Sequence, residues 1–550
     1  MEQLWFNSYS ANMPHTINSD AYSSLLEMFD ESCKSFAVKP ALISFDSVMT
    51  YDSLAKKSRA FATFLQRKLK LQKGDRIALM LPNVLQYPVA FFGALRAGLI
   101  VVNVNPLYTA RELIYQINDA GAETIVVLAN FAHVLQHALP ETRIKNVIIT
   151  EVGDLCGFVK SHIINFLARR KFPEWYIPEA ITFKQTLSYG RGKKFTEVTI
   201  NGDDIALLQY TGGTTGVSKG AILTHRNLIA NVEQAFACLG NNLPRGEGLS
   251  ITALPLYHIF SLTVCCLVMV KMGATQVLVI NPKDFSALIK TLIKYPITFF
   301  TGLTTLFNGL LNQSQFKRVN FSSLKLTIAG GMAVTPAVAE RWQQATGSVI
   351  LEGYGLTEAS PVVSMNPIDQ HAFKSSIGLP LPSTEISIRD DNGNELPVGE
   401  AGELCVRGPQ VMRGYWNKQE ETNQVFYNDG WLRTGDVVVM DEKGYLYLVD
   451  RKKDMILVAG YNVYPNEVEA VISSHPMVLE VAVVGEPSKY AGEIVKAFVV
   501  KKDEALTKEK LIAYCRDRLT SYKVPKRVEF KSELPKSNVG KILRRVLRES

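Results

Sequence analysis

The sequence predicts an α/β chain: a large N-terminal part built on α/β sheets, an antiparallel β section, and a small α+β module at the C-terminal end. Three observations carry this reading. Apolar strand-like and helix-like runs alternate through residues 76–128, as in a parallel sheet with covering helices. Residues 382–448 are rich in short alternating strands and turns such as Asp390, Asp391, Asn392 and Gly393, the pattern of antiparallel hairpins. The composition then shifts, and from about Lys453 the remaining ~98 residues have the size of a compact domain. A chain of 550 residues is in any case too long for one hydrophobic core. The expected division is 1–452 and 453–550.

In order along the chain, residues 21–72 carry helix patterns with a short extended piece at 41–45. A strand is expected over 76–81, a helix over 84–97, a strand over 99–104, a helix over 110–120 and a strand over 123–128, with Gly, Pro or Asn at most junctions. No catalytic cluster appears in this stretch. In residues 157–172, Val159, Ile163, Phe166 and Leu167 share one helical face, while Lys160, Arg169, Arg170 and Lys171 are basic. Such a helix suits an anionic membrane surface or packing on its own domain.

After the strand-like run 205–208 come Tyr210, Thr211, Gly212, Gly213, Thr214, Thr215, Gly216, Val217, Ser218, Lys219, Gly220 and Ala221, followed by a helix-like run over 223–232. Glycines let backbone N–H groups approach an anion, hydroxyls donate to its oxygens, and Lys219 adds positive charge, so the run suits a polyphosphate. The Walker A spacing fails, because no Lys-Ser/Thr pair follows a glycine at the required interval. Residues 254–260 close a strand and open an apolar helix around His258. A histidine there is ordinarily a hydrogen-bonded core group. Gly302, Gly330 and Gly331 lie beside apolar strands, where absent side chains serve either an alkyl tunnel or close packing.

With 47% hydrophobic and 20% charged residues the composition is that of a globular protein. Seven scattered cysteines lack metal-ligand spacing and read as reduced cytosolic thiols. Cys265 and Cys266 sit in an apolar setting that favours packing over reactivity. Residues 1–18 do not resemble a signal peptide, and the most apolar stretch, 260–270, is too short to cross a bilayer. The net charge of +8 resides in residues 501–550, where fifteen Lys/Arg face seven Asp/Glu. Alternation of those charges with acids and apolar residues argues against a nucleic-acid-binding arm.

Four further motifs complete the pattern: Tyr354-Gly355-Leu356-Thr357-Glu358, Trp431-Leu432-Arg433-Thr434-Gly435-Asp436, Asp450-Arg451-Lys452-Lys453-Asp454, and Pro535-Lys536-Ser537-Asn538-Val539-Gly540-Lys541. Together with the loop at 210–221 they resemble, in order and spacing, the adenylate-forming superfamily, and along nearly the whole chain its bacterial long-chain fatty acyl-CoA synthetases. The resemblance implies the adenylate-forming fold with a small domain that swings about a hinge at Lys453. It implies ATP and CoA as co-substrates of a fatty acid, and Mg²⁺ held by Thr211 and Glu358. Tyr354 would then offer a ring to adenine and Thr357 a hydroxyl to the α-phosphate. Asp436 and Arg451 would hold the ribose, and Gly331, Glu352 and Gly353 would border the nucleotide. His258, with Gly302 and Gly330, would line the acyl site. Lys541 would serve adenylation, and Gly460 would border the pantetheine arm of CoA. The reduced thiols, the lack of a signal-peptide pattern and the basic amphipathic helix at 157–172 suggest a cytoplasmic protein, peripheral on the inner face of the membrane, with the oligomeric state open and a homodimer among the options. Competing readings are another acid on the same fold, a catalytically silent lipid-binding or scaffold protein, and a P-loop kinase.

Overall fold

A computed structural model of the chain describes residues 3–170, 172–211, 218–239, 243–458, 461–488, 492–537 and 540–549. The first sheet has seven strands in the order Ile181–Thr182, Asn146–Thr150, Thr124–Leu128, Arg76–Met80, Ile100–Asn103, Ile205–Thr211 and Lys219–Thr224. All neighbours are parallel except the last pair. The second sheet has nine strands, with Ile350–Gly355, Leu326–Ala329, Phe299–Gly302 and Leu249–Thr252 running parallel at its centre. Helices fill the space between the two. The helix Gln86–Arg96 is buried at every position, which explains why its sequence is apolar on every side between the polar residues at its two ends. The largest buried cluster draws Leu79, Val101 and Leu207 from one sheet and Leu42, Phe299 and Leu326 from the other.

The expected helix at 110–120 is found as Ala110–Ala120. The Thr109 hydroxyl accepts the Glu112 N–H while the Glu112 carboxylate accepts the Thr109 N–H, and Gly121 closes the helix at φ 65°. Both ends are thus written locally. The run 223–232 divides differently from the expectation: Leu223 closes the strand Lys219–Thr224, and the helix begins at His225. Leu223 pairs with Leu207 in the ladder, so sheet pairing overrides the helical pattern. The apolar stretch forms a π-wound turn, Ser261–Leu267, continuing into Val268–Met272, all buried. Among the described residues no helix is long and apolar enough to cross a membrane. All seven cysteines are buried and unpaired. Burial pushes the Cys265 thiol up to about 11 and that of Cys266 to about 12, leaving both unreactive.

The strands Glu385–Arg389, Gly402–Arg407, Leu432–Met440 and Leu446–Arg451 form a four-stranded antiparallel sheet. A final sheet combines Tyr461–Val463, Ile456–Val458, Gly492–Lys501, Val478–Ser488 and Arg527–Lys531. The helices Pro465–Ser473 and Lys508–Arg516 pack on it through Val468, Ile472 and Leu511.

The helix Phe158–Arg169 is inverted relative to an ordinary surface helix. Its buried residues are Ser161 and Asn165, whereas Phe158 is 82% exposed, Val159 68%, and Ile163, Phe166 and Leu167 each more than half. The polar side is buried because Asn165 accepts the Gly153 N–H at 2.7 Å and donates to Asp154 at 3.1 Å.

Candidate active site

The carboxyl ends of strands from both α/β sheets open into one cavity of about 790 Å³, the position at which open α/β sheets bind ligands. Thr211 closes its strand at this rim and Lys219 begins the next one. Gly330 and Gly331 follow the strand Leu326–Ala329, and Glu352, Gly353 and Tyr354 end the strand Ile350–Gly355. Thr357 and Glu358 come next on the same wall. The antiparallel sheet contributes Asp436 and Arg451, which are register partners, and just beyond it lies Lys453. Lys541 enters from the C-terminal module and His258 from the turn before the π-wound helix. Beyond this polar end the wall is apolar, with Val264, Val268, Phe299, Ile328 and Met365.

Four expected site residues do not reach the cavity wall. The Tyr210 hydroxyl donates to Asp119 at 2.5 Å, and its ring lies under Gly220, where an added Cβ would sit 3.0 Å from it. Gly220 and Ala221 are ladder positions opposite Tyr210 and Gln209. The missing side chain at Gly220 lets the two strands pair over that ring. Gly302 faces the Phe307 ring, which an added Cβ would meet at 2.9 Å; here the missing side chain serves packing. Gly212, Gly213, Thr214, Thr215, Gly216 and Gly460 lie outside the described residues.

The polar end is a set of opposed charges. Tyr354 donates to Asp436 Oδ2 at 2.6 Å, and Arg451 Nε lies 3.2 Å from Asp436 Oδ1. Burial, then the Asp436 carboxylate, pushes the Tyr354 phenol well above its usual range, so it stays a donor. Burial lowers the Lys541 ammonium to about 8, with Arg451 adding to the shift and Asp436 opposing it. Burial likewise lowers Lys453, Arg451 again contributing. His258 is pushed down to about 4 by burial and then by Lys541, so it is neutral at physiological pH. Its Nδ1 accepts the Phe260 N–H at 3.3 Å, which leaves the ring proton on Nε2. Glu352 is held up at about 8 by burial, against the 2.7 Å bond its carboxyl accepts from the Val334 N–H, so it is mostly protonated at neutral pH.

Tyr415 is a site residue that reading the sequence missed. It donates to Glu358 Oε1 at 2.6 Å, and Lys219 Nζ stands 5.3 Å from its ring centroid. The segment carrying it is stitched beside the lysine strand: Tyr415 bridges Ala221, and the Trp416 N–H reaches the Gly220 carbonyl at 2.8 Å. No local pattern marks such a long-range pairing. Among the described residues no group of three or more His, Cys, Asp or Glu could hold a metal alone. Glu358, with one oxygen engaged by Tyr415, and the Thr211 hydroxyl are both hard oxygen donors on the cavity wall. Such a sparse set fits Mg²⁺, which takes one or two protein oxygens and completes its shell with phosphate and water.

Two α/β sheets, an antiparallel sheet and a terminal α+β module around one cavity constitute the fold of the adenylate-forming enzymes. The chain belongs to the AMP-binding enzyme family: the family's main domain matches residues 29–416 and its C-terminal domain residues 467–541. It is similar over its whole length, at 54% identity and 98% coverage of the relative, to a long-chain-fatty-acid–CoA ligase of Escherichia coli O6:H1. A protein of the same name from Bacillus subtilis is 39% identical, again over 100% of this chain and 98% of the relative. Among solved structures, ATP-bound MatB from Rhodopseudomonas palustris superposes with a TM-score of 0.82 at 28% identity, covering 95% of this chain and 98% of that one.

Proposed function

We propose that this enzyme activates long-chain fatty acids, converting fatty acid, ATP and CoA into acyl-CoA, AMP and pyrophosphate through an acyl-adenylate. The observation that carries the reading is one cavity whose apolar wall runs into a polar end holding Lys219, Glu358, Asp436 and Lys541. The relatives' name agrees with it. In the first step a carboxylate oxygen attacks the α-phosphorus and pyrophosphate leaves with the electrons of the broken P–O bond. Both reactants are anions, so Lys219 and Lys541 favour the transition state by placing positive charge where negative charge concentrates, and no protein nucleophile is required. Thr357 supplies a hydroxyl to the same phosphate. Mg²⁺ held by Glu358 and Thr211 would neutralise phosphate charge. In the second step the CoA sulfur attacks the acyl carbonyl carbon, and AMP departs with the electrons of the C–O bond.

In this reading residues 1–452 form the large domain. Residues 453–550 turn about Lys453, presenting Lys541 for adenylation and the Gly460 region for thiolation. The test is incubation with ATP, Mg²⁺ and a series of fatty acids, with and without CoA, following pyrophosphate, AMP and acyl-CoA. Production of ADP, or turnover restricted to aryl acids, would overturn it.

The same reading places the protein at the inner face of the cytoplasmic membrane. Its support is the outward apolar face of Phe158–Arg169, continued by Phe172 (41% exposed) and Tyr176 (76%). The exposed Phe45 and Val48 of a neighbouring hairpin extend it, since Lys160 Nζ reaches the Phe45 carbonyl at 3.3 Å. Arg170 stacks on Phe166 at 4.3 Å, which puts a cation at the rim, where anionic headgroups would meet it.

A further inference from the structure

Consecutive side chains of a strand point to opposite faces, and at the end of Leu446–Arg451 this separates two charged residues. Arg451 lies on the cavity wall beside Asp436. Asp450 is fully buried and faces the C-terminal module. Its Oδ2 accepts the Asn466 N–H at 2.8 Å, in the first turn of the helix Pro465–Ser473. Its Oδ1 accepts from Arg544 at 3.3 Å, across 94 residues of chain. Arg544 also donates to Glu469 at 2.7 and 3.1 Å and to the side-chain carbonyl of Asn466. Among the described residues Arg544 is the ion-pair partner of this fully buried carboxylate, and its own side chain is only 17% exposed; such a pair is costly to build, and none of the chemistry described above uses it.

Arg544 stands three residues after Lys541, at the root of the turn that carries it. The Leu543 N–H bonds the Pro535 carbonyl at 2.8 Å, the Ser537 N–H bonds the Lys541 carbonyl at 2.6 Å, and the Lys541 N–H bonds the Ser537 hydroxyl at 3.1 Å. The turn's outer contact, from the Thr305 hydroxyl to the Gly540 carbonyl, is long at 3.5 Å. The bonds at the root of the turn are therefore shorter than this contact. We propose that Asp450 and Arg544 are positioning residues for Lys541: their buried pair fixes the root of the turn to the strand that bears Arg451, so that the lysine ammonium enters the cavity at a set distance from the phosphate site. Arg544 suits this role because its planar fork can engage Asp450 and Glu469 together, which a lysine cannot do.

This inference rests on the function proposed above, and its test separates the two. Asp450→Asn keeps the size of the side chain and its bond to the Asn466 N–H but removes the charge facing Arg544. It should lower the rate of acyl-AMP formation by about 100-fold, the scale of a 1 Å misplacement, with little change in KM for ATP or fatty acid. Conversion of chemically prepared acyl-AMP and CoA should stay near the parent rate. In a Lys541→Ala background the same substitution should change adenylation no further, since a residue acting only through Lys541 has nothing left to place. A further loss in that background, or equal damage to both half-reactions, would make the pair structural support and overturn the proposal. If Asp450→Asn does not fold, Arg544→Lys takes its place with the same expected pattern and the same overturning results. Absence of acyl-AMP formation by the parent enzyme would instead sink the proposed function.

Discussion

Tyr415 donates to Glu358 at 2.6 Å while its ring faces Lys219 at 5.3 Å, so one aromatic side chain contacts both a carboxylate and a lysine of the cavity wall. Tyr415→Phe should keep the ring contact to Lys219 but free Glu358 to rotate. A hydrogen bond to a charged group is worth about 1.5–3 kcal/mol, so adenylation should fall roughly 10- to 100-fold, and more steeply at limiting Mg²⁺. Glu358→Gln should remove the charged ligand altogether and suppress both AMP and acyl-CoA formation by several kcal/mol. Pyrophosphate release assayed across a Mg²⁺ titration checks both. Undiminished turnover of Glu358→Gln at low Mg²⁺ would rule out the metal assignment.

Lys541→Ala should slow acyl-AMP formation by about 3 kcal/mol or more, by comparison with removal of a single electrostatic donor. Thiolation of supplied acyl-AMP should persist, because in the proposed cycle Lys541 faces the cavity only for the first step. Single-turnover measurement of each half-reaction decides the matter. Equal loss in both would mean that the lysine is structural.

Burial, reinforced by Arg451, lowers Lys541 to about 8, and this predicts an alkaline limb. The charged ammonium is the active form, so adenylation should be full below that value and decline as pH rises through it. Glu352 is held up at about 8 by burial and loses its proton over the same range, adding a negative charge to the cavity wall. Glu352→Gln imitates the protonated carboxyl. If Lys541 alone sets the limb, that variant should retain it unchanged, whereas Lys541→Arg, which stays charged, should lose it. A pH–rate profile of pyrophosphate release on the three proteins separates the groups. His258, lowered to about 4 by burial, should produce no limb above pH 5.

What could be read in the sequence was whatever is written locally. Ala110–Ala120 was legible because Thr109, Glu112 and Gly121 mark both its ends, and Lys219, Tyr354, Glu358 and Asp436, which line one cavity, stand in compact motifs. Partners far apart in the chain were not. Nothing near Tyr415 points to Glu358, and nothing near Arg544 points to Asp450, because each meeting depends on sheet pairing between distant segments. Gly302 misled for the opposite reason. A glycine after an apolar strand reads the same whether it clears a tunnel or admits a ring, and here the ring of Phe307 fills the space. The amphipathic pattern at 157–172 was visible, but which face turns outward was decided by Asn165 bonding inward to Gly153 and Asp154.

That inversion makes the membrane prediction specific to side chains. Arg169 is held by Glu151 at 2.8 Å and Lys160 by the carbonyls of Phe45 and Asp46, so much of the basic charge is already engaged with the protein. The free energy of adsorption should come chiefly from the apolar face. Fully burying a Phe or Ile side chain is worth about 1.5–3 kcal/mol. Ile163→Ser with Phe166→Ser should therefore weaken binding to vesicles of mixed anionic and zwitterionic lipid by at least roughly tenfold, even if each residue is only half inserted. Neither residue touches the catalytic cavity, so turnover of a soluble fatty acid should be unchanged. Arg170→Glu should weaken binding less and only at low salt, since its contribution is screened over a Debye length of about 8 Å at physiological ionic strength. Vesicle co-sedimentation at two salt concentrations measures both effects. Vesicle binding that survives the double serine variant would assign the exposed helix to another partner, and a change in sedimentation coefficient without lipid would identify that partner as a second copy of the chain.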